Sequence, residues 1–552
     1  MRRAALPLAL ALTAAAPEAA AAPPPIVLEG EVPSGEPDHF FLDFEVAPGV
    51  VELQIAHDDL SDDDILDWGL EDPAGFRGWG GGNSEDAIVN ADAASRSYLP
   101  GPITAGTWRV VVGKAKIVSA PAHYQVTITQ RDAVTLAPQT ERAPYVPADL
   151  GGGPRWLAGD LHVHSRESGD AKPTLDAIAD FARGRGLDFV MISDHNTTSH
   201  LDYFVDAQAR HPDLLFVPGM EFTTYDGHAG ALGLTTWVDH KIGQPGVTIT
   251  GAAQAIADEG AILSINHPAL DLGDLCIGCG WQQALPTAQI GAVEIATTGL
   301  DKAGKFYTGP AITFWDQRCA EGIHVAAVGG SDDHKGGEDP GFFESPIGDP
   351  TTMVYAESLS AAAILAGIRA GRTVVKLQGP GDPMVELGAA ALGDGDTVVA
   401  DETTFTATVT GAPAGSTVRF VVNGAPQPAV EVIGDPFVHE APALAPASGE
   451  DRWRAEVLID GKVRTITSHL WLREDPSAGG TAGETEGAST GESTGTESGT
   501  SDGGSGEDES ATTSGPGSEG GDGCACALPS PATPVAFAAA GLALLGFRRR
   551  RR

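Results

Sequence analysis

The sequence predicts an α/β fold in which a seven-stranded β/α barrel lies between two β-sandwiches, and three observations carry that expectation. Between residues 154 and 378, apolar strand-like runs alternate with segments of helical spacing, the pattern of parallel β/α architecture. On either side, short runs rich in aromatic and β-branched residues are separated by Gly, Pro and Asp, the pattern of antiparallel sheets. Histidines and carboxylates of the central region recur where its strands should end, the rim on which catalytic side chains of a β/α barrel converge.

The elements follow in order. Arg2 and Arg3, an apolar run over 4–16 and small residues before Pro23 make residues 1–22 a secretory signal, so the chain is expected to be exported. Runs at 40–46, 50–55, 107–112 and 124–129 place a β-sandwich over 26–132. Its acidic loop at 58–64 reads as a solvated charge run rather than a calcium loop, because it lacks the Gly-spaced calcium-binding pattern. Residues 133–153 form a Pro- and Gly-containing linker.

In the central region, strands are expected at 160–164, 188–194, 215–221, 229–235, 261–267, 292–296 and 325–332. Thr174 can cap a helix over 175–183, whose Leu175, Ile178 and Phe181 share a face and which Gly184 and Gly186 end. Ser360 opens a second helix that Gly371 closes in the same way. Residues 379–473 return to strands, with hairpin turns at Asn423-Gly424 and Asp460-Gly461, and fit a small immunoglobulin-like sandwich. The stretch 474–523 holds twelve acidic residues and no Lys or Arg, and has too little apolar surface to offset its ordering entropy; it reads as a disordered spacer. Cys524 and Cys526, an apolar run at 535–547 and five arginines make 524–552 a sorting or anchor segment, with sorting machinery or a membrane as its partner.

A net charge of −41 over 552 residues argues against a nucleic-acid-binding surface, since phosphate backbones are held by clustered Lys and Arg. Five cysteines are too few for a disulfide scaffold of this length. In Cys276-Ile277-Gly278-Cys279 a local disulfide is favoured over half a zinc site, and Cys319 reads as a buried apolar thiol.

The chemistry is carried by six short motifs in order along the barrel: Asp160-Leu161-His162-Val163-His164, Asp194-His195-Asn196, Gly219-Met220-Glu221, His228, Asn266-His267-Pro268 and Asp332-Asp333-His334. Alternate residues of a strand share a face, so His162 can grip one cation with His164, and Asp332 with His334. Imidazole and carboxylate donors suit zinc, manganese or iron, and a carboxylate such as Glu221 can bridge two cations. Arg166, His200 and Lys335 are adjacent to these motifs and are candidate contacts for an anionic substrate, while Asp194 is expected to orient a ligand imidazole.

These motifs resemble those of the polymerase and histidinol phosphatase (PHP) superfamily of metal-dependent phosphoesterases. The opening Trp156-Leu157-Ala158-Gly159-Asp160-Leu161-His162-Val163-His164-Ser165 is most similar to its secreted, carbaryl-hydrolase-like branch. The resemblance covers about 154–378 and implies a distorted (β/α)7 barrel with two or three divalent metal ions. One would take His162, His164, Glu221 and Asp332, a second Glu221, His228 and His267, and a third His195, His334 and a carboxylate near Asp170. The family's acidic residue lies five positions after the second His of the opening motif. Here that position is Gly169, and Asp170 is one further on.

The implied activity is hydrolysis of a small phosphomonoester or phosphodiester, with His162, His164, Glu221 and Asp332 at the reacting centre. A carboxyl or carbamate ester hydrolase and a non-catalytic metal-binding surface protein are the alternatives. The chain's end also resembles myxobacterial C-terminal sorting signals, implying attachment to the cell surface or outer envelope.

Overall fold

The computed structural model describes residues 24–476, apart from 274–275, 339–340, 343–344 and 394. The expected signal at 1–22, the spacer from 477 onward and the segment 524–552 lie outside the described residues.

The first strands form two four-stranded sheets, one in the order Ile26–Glu31, His123–Arg131, Glu52–Asp58, Ala87–Asn90 and the other in the order His39–Val46, Gly106–Lys116, Ile65–Asp72, Gly75–Gly81. All pairings are antiparallel, so each strand buries alternate side chains. Leu53, Ile55, Val126 and Ile128 of one sheet meet Trp68, Leu70, Trp108 and Val112 of the other in a single core. The acidic loop is tied to backbone amides: Asp58 accepts from Leu60 within the loop at 2.8 Å, and buried Asp64 from Val118 outside it at 2.6 Å.

In the central region Arg155–Val163 pairs in parallel with Phe189–Ile192, and that strand with Leu215–Val217. A five-stranded sheet follows in the order Gly219–Thr224, Gly227–Leu232, Ile262–Ile265, Ala292–Thr297, Ala326–Gly330. Isolated parallel bridges join the two sheets, His195 to Glu221 and Val163 to Asp333. The single strand expected at 215–221 is two strands, one in each sheet, because Pro218 between them has no N–H to continue a ladder. Gly227–Leu232 pairs antiparallel on both sides, so a tight turn stands where a crossover helix would otherwise be. The arrangement is a mixed, sheet-rich α/β fold.

Helix punctuation follows the sequence closely. The Thr174 hydroxyl accepts from the Ala177 amide at the start of Leu175–Gly184, and Leu175, Ile178, Ala179 and Ala182 are its buried face. Ser360 accepts from the Ala363 amide at the start of Ala361–Arg369, and Gly371 beyond its end has φ +64°.

Thr373–Lys376 pairs antiparallel with Lys462–Thr467, so one sheet runs without interruption from the central strands into Asp451–Ile459 and Thr417–Val422. A three-stranded sheet, Met384–Ala389, Glu402–Thr410 and Phe437–Leu444, packs over it through Phe405, Val409, Phe420 and Trp453. Both expected hairpin turns are present. Asn423 and Gly424 have φ 50° and 82°, and Asp460 and Gly461 have 52° and 73°, the left-handed pair that a two-residue turn of this kind requires. Among the described residues no helix is long and apolar enough to cross a membrane.

Candidate metal centre

The site is built where the strands end. His162 lies at the end of Arg155–Val163 and His164 just beyond it; two residues apart, they place their Nε2 atoms 3.1 Å from each other. A Cβ on Gly330 would collide with that of His162, so glycine is needed there for the neighbouring strand to approach. Asn196, His267 and Asp332 hold φ of 50°, 29° and 58°. Such backbone costs on the order of 1–3 kcal/mol per residue and persists where the surrounding structure enforces it.

The side chains converge on Glu221, which is completely buried. Its Oε1 is 3.3 Å from His162 Nε2, 3.1 Å from His267 Nε2 and 3.4 Å from His228 Nδ1. Its Oε2 is 3.4 Å from His164 Nε2 and 3.0 Å from His195 Nδ1. Asp332 Oδ1 lies 3.2 Å from Nε2 of both His162 and His164, which places His162, His164, Glu221 and Asp332 around one point. A second grouping holds His164, His195 and His334. Here Asp170 Oδ2 stands 3.4 Å from His195 Nε2 and 3.3 Å from His334 Nε2, so despite its displacement by one position it reaches both rings. The third grouping is His228, His267 and Cys279, and since the Cys279 sulfur is bound in a disulfide its free donors are the two rings, both beside Glu221 Oε1. All nine residues expected to bind metal therefore lie in one connected cluster.

Other groups support the cluster, and of these Glu294 and Thr223 carry no signal in the sequence. Glu294, in the apolar strand Ala292–Thr297, is buried with Oε2 3.1 Å from His162 Nδ1. The Asn266 amide donates to Glu221 Oε1 at 3.0 Å, Thr223 Oγ1 is 2.7 Å from His195 Nδ1, and the Asp332 carbonyl is 2.9 Å from His334 Nδ1. Each bonds a ring or carboxylate of the cluster, and such contacts orient and tune a metal ligand. Glu294→Ala should therefore weaken metal affinity by about 10–100-fold, as read by chelator competition; a change under twofold would remove Glu294 from this role.

The electrostatics of the cluster are those of donors crowded around a charge. Burial opposes a proton on His162, yet Glu221, Asp332 and Glu294 hold its pKa well above the usual imidazole value. Burial, together with His334 and His195, lowers His164 to about 4. Burial also opposes the charge on Glu221, but His162, His195 and His228 keep its carboxyl well below the usual range. Glu221 Oε2 and His228 Nδ1 are buried without any hydrogen-bond partner. Buried atoms of this kind within a set of nitrogen and oxygen donors fit divalent cations such as zinc, manganese or iron.

Two of the expected substrate contacts, Arg166 and His200, stand apart from the cluster. Arg166 lies over the Tyr203 ring at 5.1 Å and lines a cavity of about 160 Å³ together with His200, and none of the clustered metal donors lines that cavity. His200 is completely buried, its Nδ1 3.1 Å from Asp194 Oδ2. Lys335 is exposed on the loop after His334. Asp194 accepts from the Ser165 amide at 2.7 Å and hydroxyl at 2.6 Å, so it braces the chain after His164 rather than the His195 ring. These contacts depend on how the loops fold back, which adjacency in sequence does not specify.

Cys276 and Cys279 form a disulfide, and the loop they close supports two rings: the Ile277 carbonyl lies 3.3 Å from His228 Nε2 and the Cys279 carbonyl 3.1 Å from His267 Nδ1. Cys319 is a free, buried thiol that burial pushes up to about 12.

No protein-family profile matches the sequence, and no curated protein matches it. Among solved structures, the chain is similar to a two-domain protein from Bacteroides vulgatus containing a predicted PHP-like metal-dependent phosphoesterase. That match has 18% identity and a TM-score of 0.35, over 60% of this chain and 99% of the other. It is also similar to an amidohydrolase from Chromobacterium violaceum with bound sulfate and no metal, with 18% identity and a TM-score of 0.22, over 34% of this chain and 91% of the other. At these scores the chemistry rests on the residues themselves.

Proposed function

We propose that the chain is an exported, metal-dependent hydrolase that cleaves a small phosphate mono- or diester, within a distorted (β/α)7 framework of PHP type. The observation that carries the reading is the convergence of five imidazoles on the buried Glu221, with Asp332 closing the set. His162, His164, Glu221 and Asp332 would hold one cation, Glu221, His228 and His267 a second, and His195, His334 and Asp170 a third. A divalent cation held by these residues would supply Lewis acidity for water activation and for the charge of the ester oxygens.

The chain's own residues do the rest. Glu294, Thr223 and the Cys279 carbonyl hold three rings in one orientation, so the donors need no rearrangement when an ester arrives. Glu221 and His164 are sealed from solvent, whereas the Asp170 side chain is 56% exposed, which makes its side of the cluster the one open to substrate. The surface-attached location belongs to the same proposal and rests on the composition of the two chain ends.

The test is metal analysis with turnover. The protein should carry two or three equivalents of zinc, manganese or iron and release nitrophenol from p-nitrophenyl phosphate or its bis ester. A chelator should abolish release and added metal restore it. Less than one equivalent would overturn the reading, and turnover of p-nitrophenyl acetate with neither phosphate would move the activity to carboxyl or carbamate esters.

A further inference from the structure

The loop that carries Asp170 is held from outside the central strands. Arg96, between strands of the N-terminal sandwich, donates from Nη1 to the Ala171 carbonyl at 2.9 Å and the Ser168 carbonyl at 3.4 Å, and from Nη2 to the Gly169 carbonyl at 2.9 Å. Those three carbonyls bracket Asp170. The neighbouring Ser97 donates from its amide to Glu167 Oε2 at 3.0 Å and from its hydroxyl to the Glu167 carbonyl at 2.7 Å. The sandwich also packs so closely that a Cβ on Gly169 would collide with the Gly80 carbonyl oxygen. Inside the loop, the Ser168 hydroxyl donates to Asp170 Oδ1 at 2.8 Å, leaving Oδ2 beside His195 and His334.

We infer that Arg96 is a positioning residue for the cation position formed by Asp170, His195 and His334, so that the N-terminal sandwich completes the metal centre rather than merely accompanying it. The inference rests on the metal-dependent reading above. Asp170 is the one expected ligand of its group with a largely exposed side chain, and it lies on a loop instead of a strand end. A guanidinium spanning three backbone carbonyls fixes the curvature of such a loop with a planar array of donors, which a single ammonium cannot reproduce.

Docking of the sandwich does not depend on this contact. Phe76 stacks on Trp237 at 4.3 Å, the Tyr225 hydroxyl donates to Asp67 Oδ2 at 2.7 Å, and Lys241 Nζ is 3.0 Å from Glu71 Oε1. These hold the two parts together without Arg96.

The experiment is a Zn²⁺ titration of the metal-free protein against a chromophoric chelator, with stoichiometry from mass spectrometry. Wild type should load three equivalents. Arg96→Ala should keep two at unchanged affinity and bind the third about 10–100-fold more weakly, the range for a group that positions a ligand. Glu85→Gln, which removes the 3.0 Å ion pair to Arg96 Nε but none of the carbonyl bonds, should load three. If Arg96→Ala fails to melt cooperatively, Arg96→Lys carries the test and should show the weakened third site in a folded protein.

Three equivalents at wild-type affinity in either folded variant, or equal weakening of all sites, would overturn the inference. A wild type that loads two overturns the inference and leaves the hydrolase reading intact. A wild type that loads fewer than one overturns both.

Discussion

Glu221→Gln should cost the protein at least two of its metal equivalents and lower turnover by well over the ~100-fold that marks the upper end for groups that only hold a ligand in place. The substitution keeps the volume of the side chain and removes its charge. Glu221 stands within 3.4 Å of nitrogens from His162, His164, His195, His228 and His267, more than any other carboxylate in the cluster. Asp332, by contrast, approaches His162 and His164 at 3.2 Å, with His334 further off at 3.8 Å. Asp332→Asn should accordingly lose less metal than Glu221→Gln when the two are measured side by side. Full metal content in Glu221→Gln would show that the carboxylate is not shared between cations.

The largest effect on stability should come from Asp160→Ala. Asp160 is completely buried, and its carboxylate accepts three backbone amides: His162 at 3.1 Å, Ser331 at 3.0 Å and Gly348 at 2.7 Å. It therefore ties the first histidine pair to the loop bearing Asp332 and to the chain that leads into the next strand. Removing the acceptor strands three donors in a dry interior, at about 1–3 kcal/mol each. A loss of several kcal/mol in denaturant unfolding of the metal-free protein is expected. A loss below about 1 kcal/mol would mean that water or another acceptor replaces the carboxylate.

What could be read from the sequence depended on how locally each feature is specified. The pair His162/His164 was legible because strand periodicity turns a two-residue spacing into a shared face, whereas Asp332 and His334 lie beyond the strand Ala326–Gly330, Asp332 with φ 58°, and fall in different groupings instead of sharing one. Thr174 and Ser360 were legible as helix caps, and Asn423-Gly424 and Asp460-Gly461 as turns, because each acts within four residues. Glu294 was not legible, since a lone acid in an apolar strand shows its role only once another strand brings His162 to it. Arg96 was still less so: its partners are more than seventy residues away and are backbone carbonyls, which leave no residue type to recognise. Arg166 and His200 show the converse, because adjacency to a motif said nothing about which side of the loop they would face.

The ladder between Thr373–Lys376 and Lys462–Thr467 bears on how this protein can be taken apart. Residue 378 is the natural place to cut if the metal-binding part is wanted alone. A chain ended there would keep the pairing of Thr373–Lys376 with Thr351–Ala356 but bare its other edge, and so expose a ready template for pairing between molecules. The C-terminal strands thus cover that edge, and a fragment meant to keep it covered has to extend through Arg473.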